Sequence, residues 1–407
     1  MGQPAEAQYS ILLISWDTVR ADHTSAYGGR AETPHLEKLV ERGALFENAI
    51  THIPETALSH WSVFTGVEPE LHGDVPGTGG SRYRGPTLAE IAKAYGYNTA
   101  AFIGGVTLAK EACGLDRGFD VYDDRHNWES TDLKRPGQDV VDRAADWMNK
   151  QNGKTLTFVH LFDAHTPYRP PPPFDTRYAP GQGNPPEGFT PGPADLESQI
   201  ALYDGEIAYL DSLLPPLIEA AGPDTIIALF SDHGESFEHG YLYNHRDSLW
   251  DSTLKVPLVL AGPGVPPKSV FDQQVALTDL FPTVLSLSGL PGEAKSQGQD
   301  LLNSDKSRPP IVHSIARPFT EHSSFSARSR QFKGIWKSPG TTLGYALETD
   351  PDERLDLGEI PVSLAQEKER YSTRLKESAS LQRKALIPRP IPEETIQQLE
   401  ALGYGER

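Results

Sequence analysis

The chain opens on an apolar run, YSILLIS (9–15), that stops at Asp17. Such a run predicts a strand buried on both faces, as in parallel sheets. TPHLEKLVERG predicts a helix, with Thr33 as N-cap, Pro34 at the first turn, Leu36, Leu39 and Val40 on one face, and Gly43 past its end. A helix, a glycine turn and a strand follow in TLAEIAKAYGYNTAAFIGG. The same order recurs in VVDRAADWMNKQNGKTLTFVHLF and in IALYDGEIAYLDSLLPPLIEAAGPDTIIALFSDHG, and KVPLVLAGPG predicts a further buried strand. Strands alternating with helices imply an α/β fold, a parallel sheet with helices on both faces. Residues 167–194, rich in Pro and Gly, form a long irregular loop of the kind that is functional or mobile. After about residue 310 the alternation stops. SFSARSRQFKGIWKSPGTTLGYALETD predicts short antiparallel strands and EETIQQLEALGYGER a terminal helix. The expected division is a catalytic α/β domain over 1–310 and a small α+β subdomain over 311–407, with no internal repeat.

The 407 residues are enough for both units, and 37% hydrophobic with 23% charged residues is the balance of a soluble globular protein. The net charge of -19 repels phosphate backbones and anionic lipid, which argues against nucleic-acid or membrane partners. A small anionic substrate would need a local positive centre such as a metal ion. One cysteine, Cys113, excludes an internal disulfide. No stretch approaches the roughly 20 apolar residues of a membrane span. The N-terminus lacks the pattern of a signal peptide, so a cytoplasmic location is expected, although an exported chain already processed would read the same.

Sites in open parallel sheets form beyond the carboxyl ends of the strands. Three predicted strand ends carry polar clusters: SWDTVRADH with Asp17, DAHTPY with Asp163 and His165, and SDHGESFEHG with Asp232 and His233. Carboxylates and imidazoles at one sheet edge suit a divalent metal, although any one such Asp could be only a turn residue. PETALSH (54–60) reads as a polar bend between a helix and the run WSVFTG. Thr56 and Ser59 are its hydroxyls, and His60 could serve either.

These stretches, with ILLISWDTVRADHTSAYG, GALFENA (taken as ending a helix), SHWSVFTGVEPELHG, GLDRGFDVYDD, HLFDAHTPYRPP, FSDHGESFEHG, KVPLVLAGPGV, ALETDPDERLDLG and LEALGYG, resemble the sulfatase-like hydrolases of the alkaline phosphatase superfamily nearly end to end. The resemblance implies a central mixed or mainly parallel sheet between helices, a small C-terminal sheet beside it, and a metal held by Asp17, Thr56, Asp232 and His233. It places Thr56 at the nucleophile position of the family's C/S-x-P-S-R segment, Ser59 on the structural serine, and His60 where sulfatases have Arg. His60 is then expected as a supporting or oxyanion-side group. His165 and His245 match substrate-facing positions and would bind phosphoryl oxygens or protonate a leaving group, with a surface-loop role as the alternative for His245.

Two departures bear on chemistry. Sulfatases convert the Cys or Ser to formylglycine, and Thr56 cannot be converted. Thr at this place is what metal-dependent phosphodiesterases and head-group phosphotransferases of the superfamily use. The Lys-x-His pair that grips sulfate is also missing before GLDRGFD, where Lys110 reads as a solvated helix residue. His233 favours zinc or manganese over calcium, with calcium or magnesium as the alternative ions. Two-metal relatives have an Asp at the position of Leu161, so one metal ion is expected, with Asp163 as the residue that could compensate.

The expected function is a metal-dependent phosphoester or phosphonate ester hydrolase working through phosphothreonine at Thr56. The alternatives are a sulfatase acting without formylglycine, a head-group phosphotransferase, and a non-catalytic binding protein. His72 and His239 are expected to be structural, Arg20 to orient Asp17 or touch substrate, Trp61 and Trp250 to be core or pocket wall, Cys113 to be an ordinary buried thiol, and His52, His126 and His160 to be satisfied or exposed polar residues. The substrate alcohol and the oligomeric state are not encoded legibly.

Overall fold

The structure, a computed structural model, describes residues 9–73, 83–125, 134–179, 181, 183–186, 189–292, 296–303, 311–316, 323–382 and 393–401. Nine strands form the large sheet: β1 (Ser10–Trp16), β2 (Gly43–Ile50), β3 (Asn98–Ile103), β4 (Val121–Asp123), β5 (Thr155–Leu161), β6 (Thr225–Ser231), β7 (Lys255–Val256), β8 (Leu258–Ala261) and β9 (Ser269–Ala276). Their order is β4-β3-β5-β1-β6-β8-β2-β7, with β9 paired to β2. The first five in this order run parallel. β8 turns antiparallel against β6, so KVPLVLAGPG is buried as expected but breaks the parallel run. The sheet is mixed, and its parallel half carries the predicted strand ends.

Alternation along the central strands sorts their side chains onto two cores. Ile11 and Leu13 of β1, Leu156 and Phe158 of β5, and Ala228 and Phe230 of β6 pack on one face. Leu12, Ile14 and Trp16, Val159 and Leu161, and Ile227 and Leu229 pack on the other. The two-residue period then directs Ser15 and Asp17, His160, and Asp232 to the first face. That face is covered by the helices Thr56–Thr65, Leu88–Ala94 and Leu280–Ser288. The helices Pro34–Glu41, Gly137–Asn149, Leu196–Ser212 and Leu214–Ala221 cover the second.

Several local expectations change. GALFENAI is strand β2 rather than the end of a helix. Gly43 starts that strand and permits close approach, since a Cβ there would lie 1.9 Å from the Leu260 carbonyl oxygen. Thr33 does precede the helix Pro34–Glu41, but its hydroxyl bonds Ser25 Oγ instead of capping the helix. TALSHWSVFT is not a bend followed by a run. It is a ten-residue helix, Thr56–Thr65, with every residue buried, so no amphipathic stripe announces it. Trp61 and Phe64 are fully buried on it, each contributing about 1.5–3 kcal/mol.

The second sheet is antiparallel, from β10 (Val312–Ala316) through β11 (Ser324–Arg328) and β12 (Phe332–Lys337) to β13 (Thr341–Ala346). The helix Val362–Gln382, not foreseen from the pattern, packs Leu364 and Tyr371 with Ile315, Phe325 and Trp336. Ile53 and Leu58 join the same cluster, which braces the helix Thr56–Thr65. The seam between the sheets is also ionic. Lys333, wholly buried, reaches Asp251 at 2.8 Å and Glu353 at 2.9 Å, and Arg328 reaches Asp251 at 2.8 Å. Removing one partner of a buried pair strands the other charges. Lys333→Met is expected to lower unfolding free energy by about 3–5 kcal/mol, read from urea denaturation midpoints against the wild type. A loss below measurement error would refute the role of the seam.

Candidate active site and metal centre

The register aligns Trp16 of β1 with Leu161 of β5 and Ser231 of β6. Asp17 and Asp232 therefore leave adjacent strands side by side. Immediately after Asp17 the chain turns through Thr18 at φ 59°, a left-handed conformation that a β-branched residue adopts only under constraint. The constraint is visible: Tyr203 Oη donates to the Thr18 carbonyl at 2.7 Å and accepts from Arg20 N at 2.9 Å. The turned backbone lets Thr18 N donate to Asp232 Oδ1 at 3.3 Å, and His233 N donates to the same oxygen at 2.9 Å.

Thr56 is the first residue of its helix, so its hydroxyl sits at the positive end of the helix dipole. Ser59 Oγ donates to the Asp232 carbonyl at 2.8 Å and pins this helix to the end of β6. Thr56 Oγ1 lies 3.3 Å from His233 Nε2. His233 Nδ1 lies 2.9 Å from the Gly234 carbonyl, which can only accept, so Nδ1 carries a proton and Nε2 presents a lone pair when the ring is neutral. Asp17, Asp232 and His233 each offer a ligand atom within 4.8 Å of the others, and all three are fully buried.

This donor set fits a cation. Asp17 Oδ1 and Asp232 Oδ2 are buried oxygens with no hydrogen-bond partner. Burial pushes the Asp17 carboxyl up to about 7, against the opposing pull of His233, and burial beside Asp17 raises Asp232. Burial alone would lower His233, but the Asp232 and Asp17 carboxylates outweigh it and raise it. Carboxylates destabilised by burial and by each other are relieved by a divalent ion.

The other predicted residues fall in three groups. His165 and His245 do converge beside this cluster. The His245 ring stacks on His233 with centroids 4.2 Å apart, and His165 meets His245 edge-on at 5.3 Å. His245 is buried, not a surface-loop residue. His165 Nδ1 donates to the Thr166 carbonyl at 2.8 Å, leaving Nε2 buried without a partner. Burial and the neighbouring His245 hold His165 well below the usual imidazole range, hence neutral.

His60 does not face the site as an oxyanion-side group. Its Nδ1 donates to the Thr56 carbonyl at 2.7 Å, and Ser15 Oγ donates to its Nε2 at 2.9 Å. Both nitrogens are engaged beneath the helix, with burial lowering the ring to about 4, so no donor is left for substrate. Arg20 does not orient Asp17 either. Its guanidinium pairs with Asp22 at 2.7 Å and Glu238 at 2.9 Å. Asp163 accepts from Gly137 N at 2.9 Å and caps the helix Gly137–Asn149. His72 Nε2 bonds across to Ser62 Oγ and the Leu58 carbonyl of the helix Thr56–Thr65, and His239 stacks on Trp250 at 4.7 Å. Trp61 and Trp250 are core, Cys113 is buried, Lys110 is a half-exposed helix residue beside Glu111, and His126 lies outside the described residues.

Two contributors escaped the sequence reading. His160 Nε2 donates to Asp17 Oδ2 at 3.0 Å. Glu235, held by Tyr168 Oη at 3.1 Å, stands 3.4 Å from His245 Nδ1. The signal for His160 was the one ionisable side chain in a buried strand; for Glu235 it was an acid two residues after a predicted ligand.

The family model described as Sulfatase matches residues 10–290. The chain therefore belongs to the sulfatase family, within the alkaline phosphatase superfamily. It is 30% identical over 214 residues to arylsulfatase K of Rattus norvegicus, covering 46% of this chain and 38% of that protein. The stretches matched in the first curated relatives span about a third of those proteins' length. Among solved structures, a phosphonate monoester hydrolase of Agrobacterium radiobacter superposes with a TM-score of 0.74 at 19% identity, covering 94% of this chain and 100% of that one. A 2-O GAG sulfatase superposes with a TM-score of 0.70 at 18% identity, covering 95% and 96%. At these identities the superpositions establish the fold.

The geometry predicts that purified protein retains a divalent ion, and that His233→Ala and Asp232→Asn abolish retention while the metal-free chains still melt cooperatively. Elemental analysis after gel filtration checks this. Wild-type protein that carries no ion, even after incubation with zinc or manganese salts, would contradict it.

Proposed function

We propose that this chain is a metal-dependent phosphoester or phosphonate ester hydrolase with Thr56 as nucleophile. The observation that carries the reading is the hydroxyl of Thr56 at the head of a buried helix, 3.3 Å from the lone-pair nitrogen of His233. The family's sulfatase chemistry needs an aldehyde made from Cys or Ser at this place, and a threonine would give no such aldehyde. Its secondary hydroxyl remains a competent nucleophile for phosphorus.

Asp17, Asp232, His233 and Thr56 would hold a divalent ion, with zinc or manganese suited to the mixed N/O donors; when bound it would supply charge that favours the Thr56 alkoxide and neutralises phosphoryl oxygens. Thr56 Oγ1, its proton released to solvent as the alkoxide forms, then attacks phosphorus in line. A Thr–O–P bond forms and the bond from phosphorus to the leaving alcohol breaks. The positive end of the helix dipole lies where negative charge develops. His165 Nε2, buried and unpartnered, faces no competing acceptor. An arriving phosphoryl anion favours its protonated form, which donates to the leaving oxygen. Water next attacks phosphorus, breaks the Thr–O–P bond and returns the hydroxyl.

A second reading, hydrolysis of sulfate esters by direct attack of Thr56, is favoured by the family's name and by sulfatases among the fold neighbours. Matched aryl phosphate, phosphonate and sulfate esters separate the two. The phosphorus reading expects turnover of the phosphorus esters to exceed that of the sulfate, and Thr56→Ala to lose about 10³-fold or more. Preference for the sulfate, or full activity in Thr56→Ala, would overturn it.

The role given to His165 has its own signature. His165→Ala should slow alkyl esters by about 10²–10⁴-fold and nitrophenyl esters far less, because a good leaving group needs no proton. Equal losses across a leaving-group series, measured as kcat/KM, would contradict proton donation.

A further inference from the structure

We propose that His160 is a positioning residue that restricts Asp17 to one ligating oxygen and thereby tunes the centre toward ions of low coordination number and away from calcium. The inference rests on the metal reading of the same site.

The placement begins with the strand register. Parallel pairing sets His160 of β5 beside Ser15 of β1, and alternation turns His160 to the face that carries Asp17. His160 Nε2 then donates to Asp17 Oδ2 at 3.0 Å with both side chains fully buried. A carboxylate held this way on one oxygen offers the other. Asp17 Oδ1 is the oxygen without a hydrogen-bond partner. Asp232 is treated in the same way by different means: two backbone N–H groups occupy Oδ1, and Oδ2 is left. The chain thus presents single atoms from each residue: Asp17 Oδ1, Asp232 Oδ2, His233 Nε2 and Thr56 Oγ1. Zinc accepts few donors of mixed N and O type, whereas calcium takes six to eight oxygens and often binds carboxylates through both.

A structural histidine would look like its neighbour. His60, with its ring 5.2 Å from that of His160, satisfies both nitrogens on Ser15 and the Thr56 carbonyl. His160 satisfies one, on the ligand carboxylate, and keeps Nδ1 buried without a partner. Leaving a buried polar atom unpaired is unfavourable, and a position selected for packing alone would be better filled by an apolar side chain. Hydrogen-bond donors behind a ligand are the usual means of fixing its orientation, and their loss costs about 10–100-fold in metal affinity.

The test uses the full chain and the metal alone. Chelator competition gives the zinc, manganese and calcium affinities of wild type, His160→Gln, His160→Asn and His160→Leu, and cobalt substitution gives a visible spectrum sensitive to coordination number. Gln places an amide N–H where the imidazole Nε2–H was, and Asn is too short. Gln is therefore expected to keep wild-type zinc affinity and spectrum. Asn and Leu should lose about 10–100-fold, shift the cobalt spectrum and narrow the preference over calcium, while the metal-free melting temperature stays within a few degrees of wild type. Zinc affinity and metal preference unchanged in Leu or Asn would overturn the assignment. So would a loss in Gln equal to that in Asn. If Leu fails to fold, the Gln and Asn pair decides alone. If wild type binds no ion at all, the metal reading itself fails and this assignment fails with it. Wild-type binding with unaffected variants refutes only the role of His160.

Discussion

Two carboxylates buried side by side at the ends of β1 and β6 set the terms for the rest of the molecule. Asp17 and Asp232 have no exposure to solvent, and burial works against their charge. Such a pair survives in a folded protein only if protons, hydrogen bonds or a cation compensate it. Much of the surrounding structure supplies or shapes that compensation. The left-handed turn at Thr18 delivers a backbone donor to Asp232, Tyr203 holds that turn, His160 holds Asp17, and Ser59 fastens the helix Thr56–Thr65 to the end of β6. The unfilled valences that remain converge beside Thr56 Oγ1.

The support extends beyond the large sheet. The small antiparallel sheet lends Ile315, Phe325 and Trp336 to the cluster that includes Leu58 of the helix Thr56–Thr65. The buried Lys333 group locks the two sheets together by charge. Among the described residues the second sheet thus braces the helix that carries Thr56 and lends no candidate ligand.

The central strands and three candidate ligands were legible because they depend on local signals. YSILLIS and TIIALFS are short, apolar and bounded, and an acid directly after such a strand falls at the sheet edge whatever the rest of the chain does. The resemblance to a known family added Thr56, His165 and His245. What was missed depends on contacts distant in sequence. His160 became meaningful only once β5 lay beside β1, 143 residues away. The helix Thr56–Thr65 was hidden because burial on all sides erases helical periodicity, and β9 because SVFDQQVA shows neither a continuous apolar run nor strict alternation. His60 was misplaced for the converse reason: proximity in sequence to Thr56 suggested a shared task, but one helical turn directs its ring into the core.

The account's central claim is that Thr56 carries the transferred phosphoryl group. The most direct measurement is to quench the enzyme in acid during steady turnover of a reactive aryl phosphoester, digest it, and locate added mass by peptide sequencing in a mass spectrometer. A phosphoryl adduct on Thr56, present in a substoichiometric amount that rises when water attack is slowed, is the predicted result. Robust turnover with no adduct on Thr56 under any quench condition, or an adduct on another residue that is competent in turnover, would contradict it.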